Sequence, residues 1–457
     1  MIGIKNINII LFIILHLMFM SFLMIFSYIK LGPLGSFLIF FFITMLYLVY
    51  SVPLPFKNIY NVYYKKIVIA LALIFVCRVF IGFFHQAIFF DTNYFENPSN
   101  FVGIYEAEWM HGMLIKYANP ESKIAPFFTF SAFSEDGIMR DKSAELHFYN
   151  SIIYRSFGIY SYNIIIWNSL HIVFLCLFLS LIALMISKSP AIGYRTLILS
   201  SFYPNGLFTN MMYRDITGLA ILSFGVLIFT ISFYRSNFQF FISILLMCFS
   251  GYLLREPYFA LLFLISFLIG LKKLSKEHIL FFSFSILVSL IFIAFGIYNI
   301  LEVSFFRYEG GDSPFSFNLY KIIKNLKIFI LGPFPFYQVF SGVSGAVWQI
   351  QHWPLIVYNW VIFFIIISNI RAILRSDMSI LLFISFGFIS SLILFGADLH
   401  IDYMVPGIIF LIPIVSTYNY PMKMMILVSA ICYLLLTLIY FIISMLTTGS
   451  PFMGIFS

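Results

Sequence analysis

Charge is scarce in this chain. Only 10% of its 457 residues are Asp, Glu, Lys or Arg, while 62% are hydrophobic. A water-soluble protein of this length needs far more charge to cover its surface, so a soluble globular fold is excluded. Cysteine is nearly absent too: Cys77, Cys176, Cys248 and Cys432 all sit in apolar runs, with no CxxC or Cys/His spacing. That leaves neither a disulfide framework nor a zinc site. A Walker loop, GxGxxG, HExxH, nucleophile elbow and EF-hand loop are all missing, which removes support for ATP hydrolysis, redox cofactors and zinc proteolysis. The net charge of +8 does not imply nucleic acid, because surplus Lys and Arg in a membrane protein mark cytoplasmic loops. No internal repeat, Gly/Ser linker or broken-helix pair is evident, so 1–457 reads as a single integral membrane domain.

What the chain has is apolar runs of about 20 residues, the length that crosses about 30 Å of hydrocarbon. They fall at 7–29, 35–52, 67–86, 161–187, 196–213, 216–233, 237–254, 257–271, 278–300, 353–370, 378–396, 403–417 and 424–446. The pattern predicts an all-α polytopic membrane bundle of about 11–13 transmembrane helices. The first run reads as a span, since no small-residue cleavage site of a signal peptide follows it. Two long segments, 87–160 and 301–352, read as non-cytoplasmic loops. With the N-terminus inside, thirteen Lys and Arg fall in cytoplasmic segments, against Lys30, Arg214 and Arg255 in the short outer turns. That asymmetry fits the positive-inside rule.

The carboxylates are just as one-sided. Of 18 Asp and Glu, only Glu277 and Asp377 fall on the inner side. Asp215, Glu256, Asp398 and Asp402 stand at outer helix ends, and the remainder lie in the two long loops. Three outer junctions share a pattern: Tyr213-Arg214-Asp215, Arg255-Glu256-Pro257 and Asp398-Leu399-His400-Ile401-Asp402. Ionisable groups at headgroup depth are costly unless they face a cavity or a partner, so the three together point to a shared outward polar cavity. Arg78 lies halfway along the third span with no acid near it in sequence; it must pair across helices or line a wet pocket. Asp91 follows that span directly. Glu106 and Glu108 stand beside Trp109 and His111, and acids among aromatics suit a sugar site. Lys321, Lys324 and Lys327 recur every three residues among Ile, Leu and Phe. This is the stripe of an amphipathic helix lying in the outer interface, which with Arg307 also suits a lipid diphosphate. His16 and His171 lie in apolar runs and read as buried structural groups.

The stretch "SFYPNGLFTNMMYRDITGLAILSFGVLIF", followed 20 residues later by "GYLLREPYFALLFLISFLIG", resembles the Pro-then-Arg-Asp and Leu-Arg hairpins of bacterial O-antigen polysaccharide polymerases. It is also similar to the related C-type glycosyltransferases that use polyprenyl-phosphate sugars. "HFYNSIIYRSFGIYSYNIIIWNSL" looks like the segment that enters the fourth span in that group. The likeness covers roughly residues 85–270 as an ordered set; Arg307 is the sole arginine of the second long loop. The resemblance implies an inner-membrane enzyme that acts at the periplasmic face on undecaprenyl-diphosphate-linked oligosaccharides. Its partners would be the bilayer and a chain-length regulator or flippase of the same pathway. Glycosyl transfer from a lipid diphosphate needs a carboxylate to accept the hydroxyl proton and cations to stabilise the departing diphosphate. The cations would be Arg214 and Arg255, with Arg78; the base would be Asp91 or Asp215, with Glu256 beside them. His400 and Asp402 would bind sugar hydroxyls or orient the base. No cofactor is required, although Asp91 with a second acid would suit a divalent cation. A single-sugar transferase and a lipid-linked oligosaccharide flippase are the alternatives, with an assembly subunit of an envelope machine behind them. The one-sided polar groups and long outer loops weigh against the flippase.

Overall fold

One run is apolar along its whole length and becomes a helix enclosed on every side: residues 162–186, within the apolar helix Tyr162–Ser187, are all buried. A helix that is apolar all round belongs inside a bundle, where other helices take up every face. The computed structural model describes residues 8–29, 31–89, 105–119, 121, 144–203, 215–234, 237–254, 258–274, 323, 358–395 and 401–418. In chain order the main helices are α1 (Ile9–Ile25), α2 (Pro33–Leu46), α3 (Tyr64–Phe89), α4 (Tyr105–Ala118), α5 (Ala144–Phe157), α6 (Ser161–Ser187) and α7 (Pro190–Ser201). They continue as α8 (Asp215–Phe233), α9 (Asn237–Leu254), α10 (Tyr258–Leu274), α11 (Tyr358–Ser368), α12 (Ser379–Phe395) and α13 (Ile401–Ile408). No strand occurs among the described residues.

Three stretches among the described residues are long and apolar enough to cross a membrane: Pro33–Phe83, Tyr162–Ser187 and Asp215–Phe233. The first holds α2 and α3, joined by a π turn over Tyr47–Ser51 and 3-10 turns on either side of a short helix. Pro53 and Pro55 have no amide hydrogen to continue an α-helical ladder, which accounts for the change of helix type there. The outer faces of the peripheral helices are greasy. Ile10, Leu17 and Met18 of α1 and Phe80 of α3 are all more than half exposed, a surface stable in hydrocarbon and not in water.

α6 and α7 form a hairpin. Lys188 closes α6 in the left-handed region at φ 57°, and Pro190 opens α7 at its first turn, where a missing N–H costs nothing. α8 and α9 pack through glycines. A Cβ on Gly225 would come within 2.2 Å of Ser250 Oγ, and one on Gly218 within 3.2 Å of Leu254 Cα. Such close backbone approach is how apolar helices gain dispersion contact when burial from water contributes little. Further round, Tyr258 of α10 meets Phe388 of α12 edge-on at 4.9 Å, and α13 lies against α12.

Helix ends that the sequence assigns to one side of the membrane meet each other. At one end of the bundle Ser36 Oγ donates to Phe157 O at 2.7 Å and accepts from Asn163 Nδ2 at 2.9 Å. At the other, the rings of Tyr63 and Tyr194 lie 5.7 Å apart, and the Tyr234 hydroxyl donates to Asp377 Oδ2 at 3.0 Å. Burial raises the Tyr234 pKa above its ordinary value, and the Asp377 charge and hydrogen bond add to that.

Several expectations need correction. The run 196–213 is not one span: α7 starts earlier and ends at Ser201, so its 12 residues rise only about 18 Å. The segment 87–160 between two spans is not irregular where it is described: it contains α4 and α5, and only its boundary shifts, because α3 runs on to Phe89. Of the run 353–370 the described residues form α11 from Tyr358 to Ser368, and 403–417 is broken into α13, a 3-10 turn at Ile409–Leu411 and Ile412–Val415. The runs 278–300 and 424–446 lie outside the described residues.

Candidate functional site

Arg78 is the fifteenth residue of α3 and only 5% exposed. An unaccompanied guanidinium there would be costly. Its Nη2 donates to Ser201 O at 2.5 Å and to Tyr203 O at 3.3 Å. Those carbonyls belong to the C-terminal end of α7, where the helix leaves acceptors without intrahelical donors and carries partial negative charge. A helix end thus acts as a counter-charge for the cation. Arg155 does the same on α4: its guanidinium donates to the Tyr117 carbonyl and lies 5.1 Å over the Phe148 ring.

Beside Arg78 lies a small cleft with a cavity volume of about 20 Å³, lined by Cys176 and Ile172 of α6, Ser200 and Tyr203 at the end of α7, Ile216 and Leu219 of α8, and Val405 and Ile409. Cys176 is the sixteenth of the 27 residues of α6, so the cleft lies near the middle of the bundle's central helix. α7 ends there and α8 begins there. Two helix-end dipoles therefore lie against the cleft. Asp215 is the first residue of α8, where the helix dipole favours a carboxylate, and the next residue already lines the cleft.

Two of the junctions lead to the same place. Tyr203 and Ile216 bracket the Arg214-Asp215 segment, and Val405 is one turn into the helix that carries Asp402. The third is adjacent: Leu254, immediately before Arg255, packs on Gly218 in the first turn of α8. α3 continues to Phe89, 11 residues past Arg78 and about 16 Å along the axis. Asp91, Arg214, Arg255, Glu256, Arg307, Lys321, Lys324, Lys327, Asp398 and His400 lie outside the described residues. The backbone of Asp402 opens α13, and those of Glu106, Glu108, Trp109 and His111 belong to α4, without described side chains. Among the described residues no three His, Cys, Asp or Glu side chains stand together as a metal site.

Sequence reasoning missed a polar chain that runs through four helical segments. His171 Nδ1 lies 2.8 Å from the Trp167 carbonyl. A carbonyl only accepts, so that nitrogen carries the proton and His171 Nε2 is an acceptor. The Tyr149 hydroxyl, 3.2 Å away, must therefore donate to it. Tyr149 then accepts from His16 Nε2 at 3.0 Å, and His16 Nδ1 accepts from the Tyr47 hydroxyl at 3.0 Å. Every proton in the chain is assigned by that single carbonyl. One residue on, Asn150 Oδ1 accepts from Trp167 Nε1 at 2.8 Å and from Thr217 Oγ1 at 3.0 Å. The available signal was the set His147, Asn150 and Ser151, spaced for one face of α5 and all fully buried.

Compared with protein-family models, with curated proteins and with solved structures, the chain matches none.

Proposed function

We propose that this protein is an inner-membrane polysaccharide polymerase. It transfers glycan between undecaprenyl-diphosphate-linked oligosaccharides at the periplasmic face, in a bundle of 11–13 spans with its N-terminus in the cytoplasm and two long outer segments. The observation that carries this reading is the convergence of the start of α8 at Asp215, the helix that carries Asp402, and Leu254 next to Arg255, at or against one small cleft beside the end of α7. In this reading Arg214 and Arg255 stabilise the departing diphosphate. Asp215 or Asp91 takes the acceptor hydroxyl's proton. Arg78 holds the end of α7 in place through its bonds to backbone carbonyls, which leaves the diphosphate to the other two arginines.

The test is the size profile of surface glycan in cells lacking the gene, complemented with wild type, Arg214→Ala or Arg255→Ala, with protein levels checked by immunoblot. The expected result is single-repeat glycan in the deletion, a full ladder with wild type and no ladder with either variant. A ladder lacking one side sugar in the deletion would replace the polymerase with a C-type single-sugar transferase. Complete lipid-linked units trapped on the cytoplasmic side would replace it with a flippase. Full activity of both variants at normal levels would remove the arginines from the site.

A further inference from the structure

The end of the bundle that carries Tyr63 and Tyr194 has cations whose own segments supply no counter-ion. Lys57, Lys65 and Lys66 are exposed on the turns that lead into α3 and on its first turn. Residues 1–90 and 146–214, which form those turns, α3, α6 and α7, contain no Asp or Glu. Asp377, a carboxylate at this end, accepts from Tyr234. The surplus of Lys on this side follows the positive-inside rule, but their gathering at one place is the work of tertiary contacts. The Tyr60 hydroxyl donates to Ser180 Oγ of α6 at 2.6 Å, and Ser180 Oγ donates to the Gly193 carbonyl of α7 at 2.6 Å. The ring of Tyr63 lies against Tyr194 of α7, and Lys66 Nζ stands 5.4 Å over the Tyr63 ring. An aromatic face attracts an ammonium without neutralising its charge. The turns are thus pinned on the α6–α7 hairpin, and the cations they hold keep their charge for an outside partner.

The surface beside them points to what that partner is. On the face of α3 that bears Lys66, Ile69, Leu73 and Phe80 follow at helical spacing, each more than half exposed. From Ile69 to Phe80 is about 16 Å along the axis, close to one leaflet of a hydrocarbon core about 30 Å thick. Cations above an apolar stripe of that length match a phosphodiester headgroup with its acyl chains below it, whereas a free phosphate would leave the stripe without a role. Basic sites at this level of a membrane protein are suited to acidic headgroups. We propose that Lys57, Lys65 and Lys66 dock the headgroup of an anionic phospholipid, with an acyl chain along Ile69, Leu73 and Phe80. Lys66 lies about 18 Å along α3 from Arg78, so this site is apart from the cleft and does not depend on the glycan reading above.

Purified protein in detergent is titrated with phosphatidylglycerol, with phosphatidylcholine of the same acyl chains and with inorganic phosphate, and the adducts are counted by native mass spectrometry. Wild type should bind phosphatidylglycerol more tightly than phosphatidylcholine. Lys65→Gln/Lys66→Gln should lose about thirtyfold in affinity for phosphatidylglycerol, as each cation near a membrane surface is worth about fivefold, and should bind phosphatidylcholine as before. Lys65→Arg/Lys66→Arg should keep the affinity. Arg371→Gln/Arg375→Gln removes the same charge from exposed positions elsewhere at that end and should also leave it unchanged. Equal binding of the two lipids by wild type would overturn the proposal. So would an equal loss in the Arg371/Arg375 variant, which would reduce the effect to net charge. Displacement of phosphatidylglycerol by an equal concentration of inorganic phosphate would overturn it too, in favour of a free-anion site. Should Lys65→Gln/Lys66→Gln not elute as a monodisperse peak, Lys57→Gln decides by the same comparison, with a loss of about fivefold expected.

Discussion

Removing the Tyr149 hydroxyl should cost far more than removing the Tyr47 hydroxyl, although both are single phenols in the same chain of bonds. Tyr149 both donates and accepts: Tyr149→Phe leaves the His16 Nε2 hydrogen and the His171 Nε2 lone pair without partners. His171 cannot respond by changing tautomer, because Trp167 O holds the proton on Nδ1. At about 1–3 kcal/mol for each buried orphan, and toward the lower end because Tyr149 is only part-buried, the loss should be about 2–3 kcal/mol. Tyr47 stands at the end of the chain and only donates, so Tyr47→Phe leaves one unfilled acceptor on part-buried His16, worth about 1 kcal/mol. With an unfolding entropy of about 2.1 cal/mol/K per residue over this length, 1 kcal/mol corresponds to a midpoint shift of roughly 1 °C. A heating series read by fluorescence size-exclusion chromatography in detergent should therefore place Tyr149→Phe about 2–3 °C below wild type and Tyr47→Phe about 1 °C below. Combining Tyr149→Phe with His16→Phe should cost less than the two single changes together, since the second removes an orphan created by the first. Equal losses for both phenols, or strict additivity of the pair, would refute the directed chain.

Arg78→Leu should lower protein yield and thermal midpoint, because two helix-end carbonyls lose a charged donor at about 1.5–3 kcal/mol each. Arg78→Lys should fall between, as an ammonium lacks the planar fork; wild-type stability of Arg78→Leu would disprove the cap. Gly225→Leu should block the α8–α9 contact, since even a Cβ lies 2.2 Å from Ser250 Oγ, and should be read as loss of the monodisperse peak; normal elution would contradict that packing. Lys188→Gly should raise the midpoint by about 1 °C, relieving the roughly 1–2 kcal/mol that the left-handed region costs a side chain. Tyr234 has its pKa raised on folding, so its stabilisation is complete below the unfolded value near pH 10 and is lost as pH rises past it toward the folded value. The midpoint of wild type should thus fall more steeply above pH 10 than that of Tyr234→Phe, and parallel curves would count against the pair.

Helix identity was legible because a membrane span is a property of composition over one contiguous run. The run 161–187 coincides with α6 at both ends, and 237–254 matches α9 in the same way. The end of α7 was partly legible, since Ser200, Ser201 and Pro204-Asn205-Gly206 mark a break; what was hidden is that Arg78, more than 120 residues away, supplies donors to the carbonyls there. The depth of α5 was hidden for a related reason. Its polar residues look like those of a solvent-facing loop until Trp167, Thr217, His16 and His171 are brought against them.

The chain alone thus discloses its solvent and the side to which its charges belong. Both follow from sums over local stretches: hydrophobicity over a run, and Lys and Arg over a short loop. Which polar groups satisfy one another emerges only when the helices are assembled. Arg78 meets the end of α7, one carbonyl of Trp167 sets the protons of two histidines and two tyrosines, and Asn150 accepts from both Trp167 and Thr217. Hydrogen bonds are short-ranged and directional, so their pairing depends on helix placement in space and leaves no periodic trace along the chain.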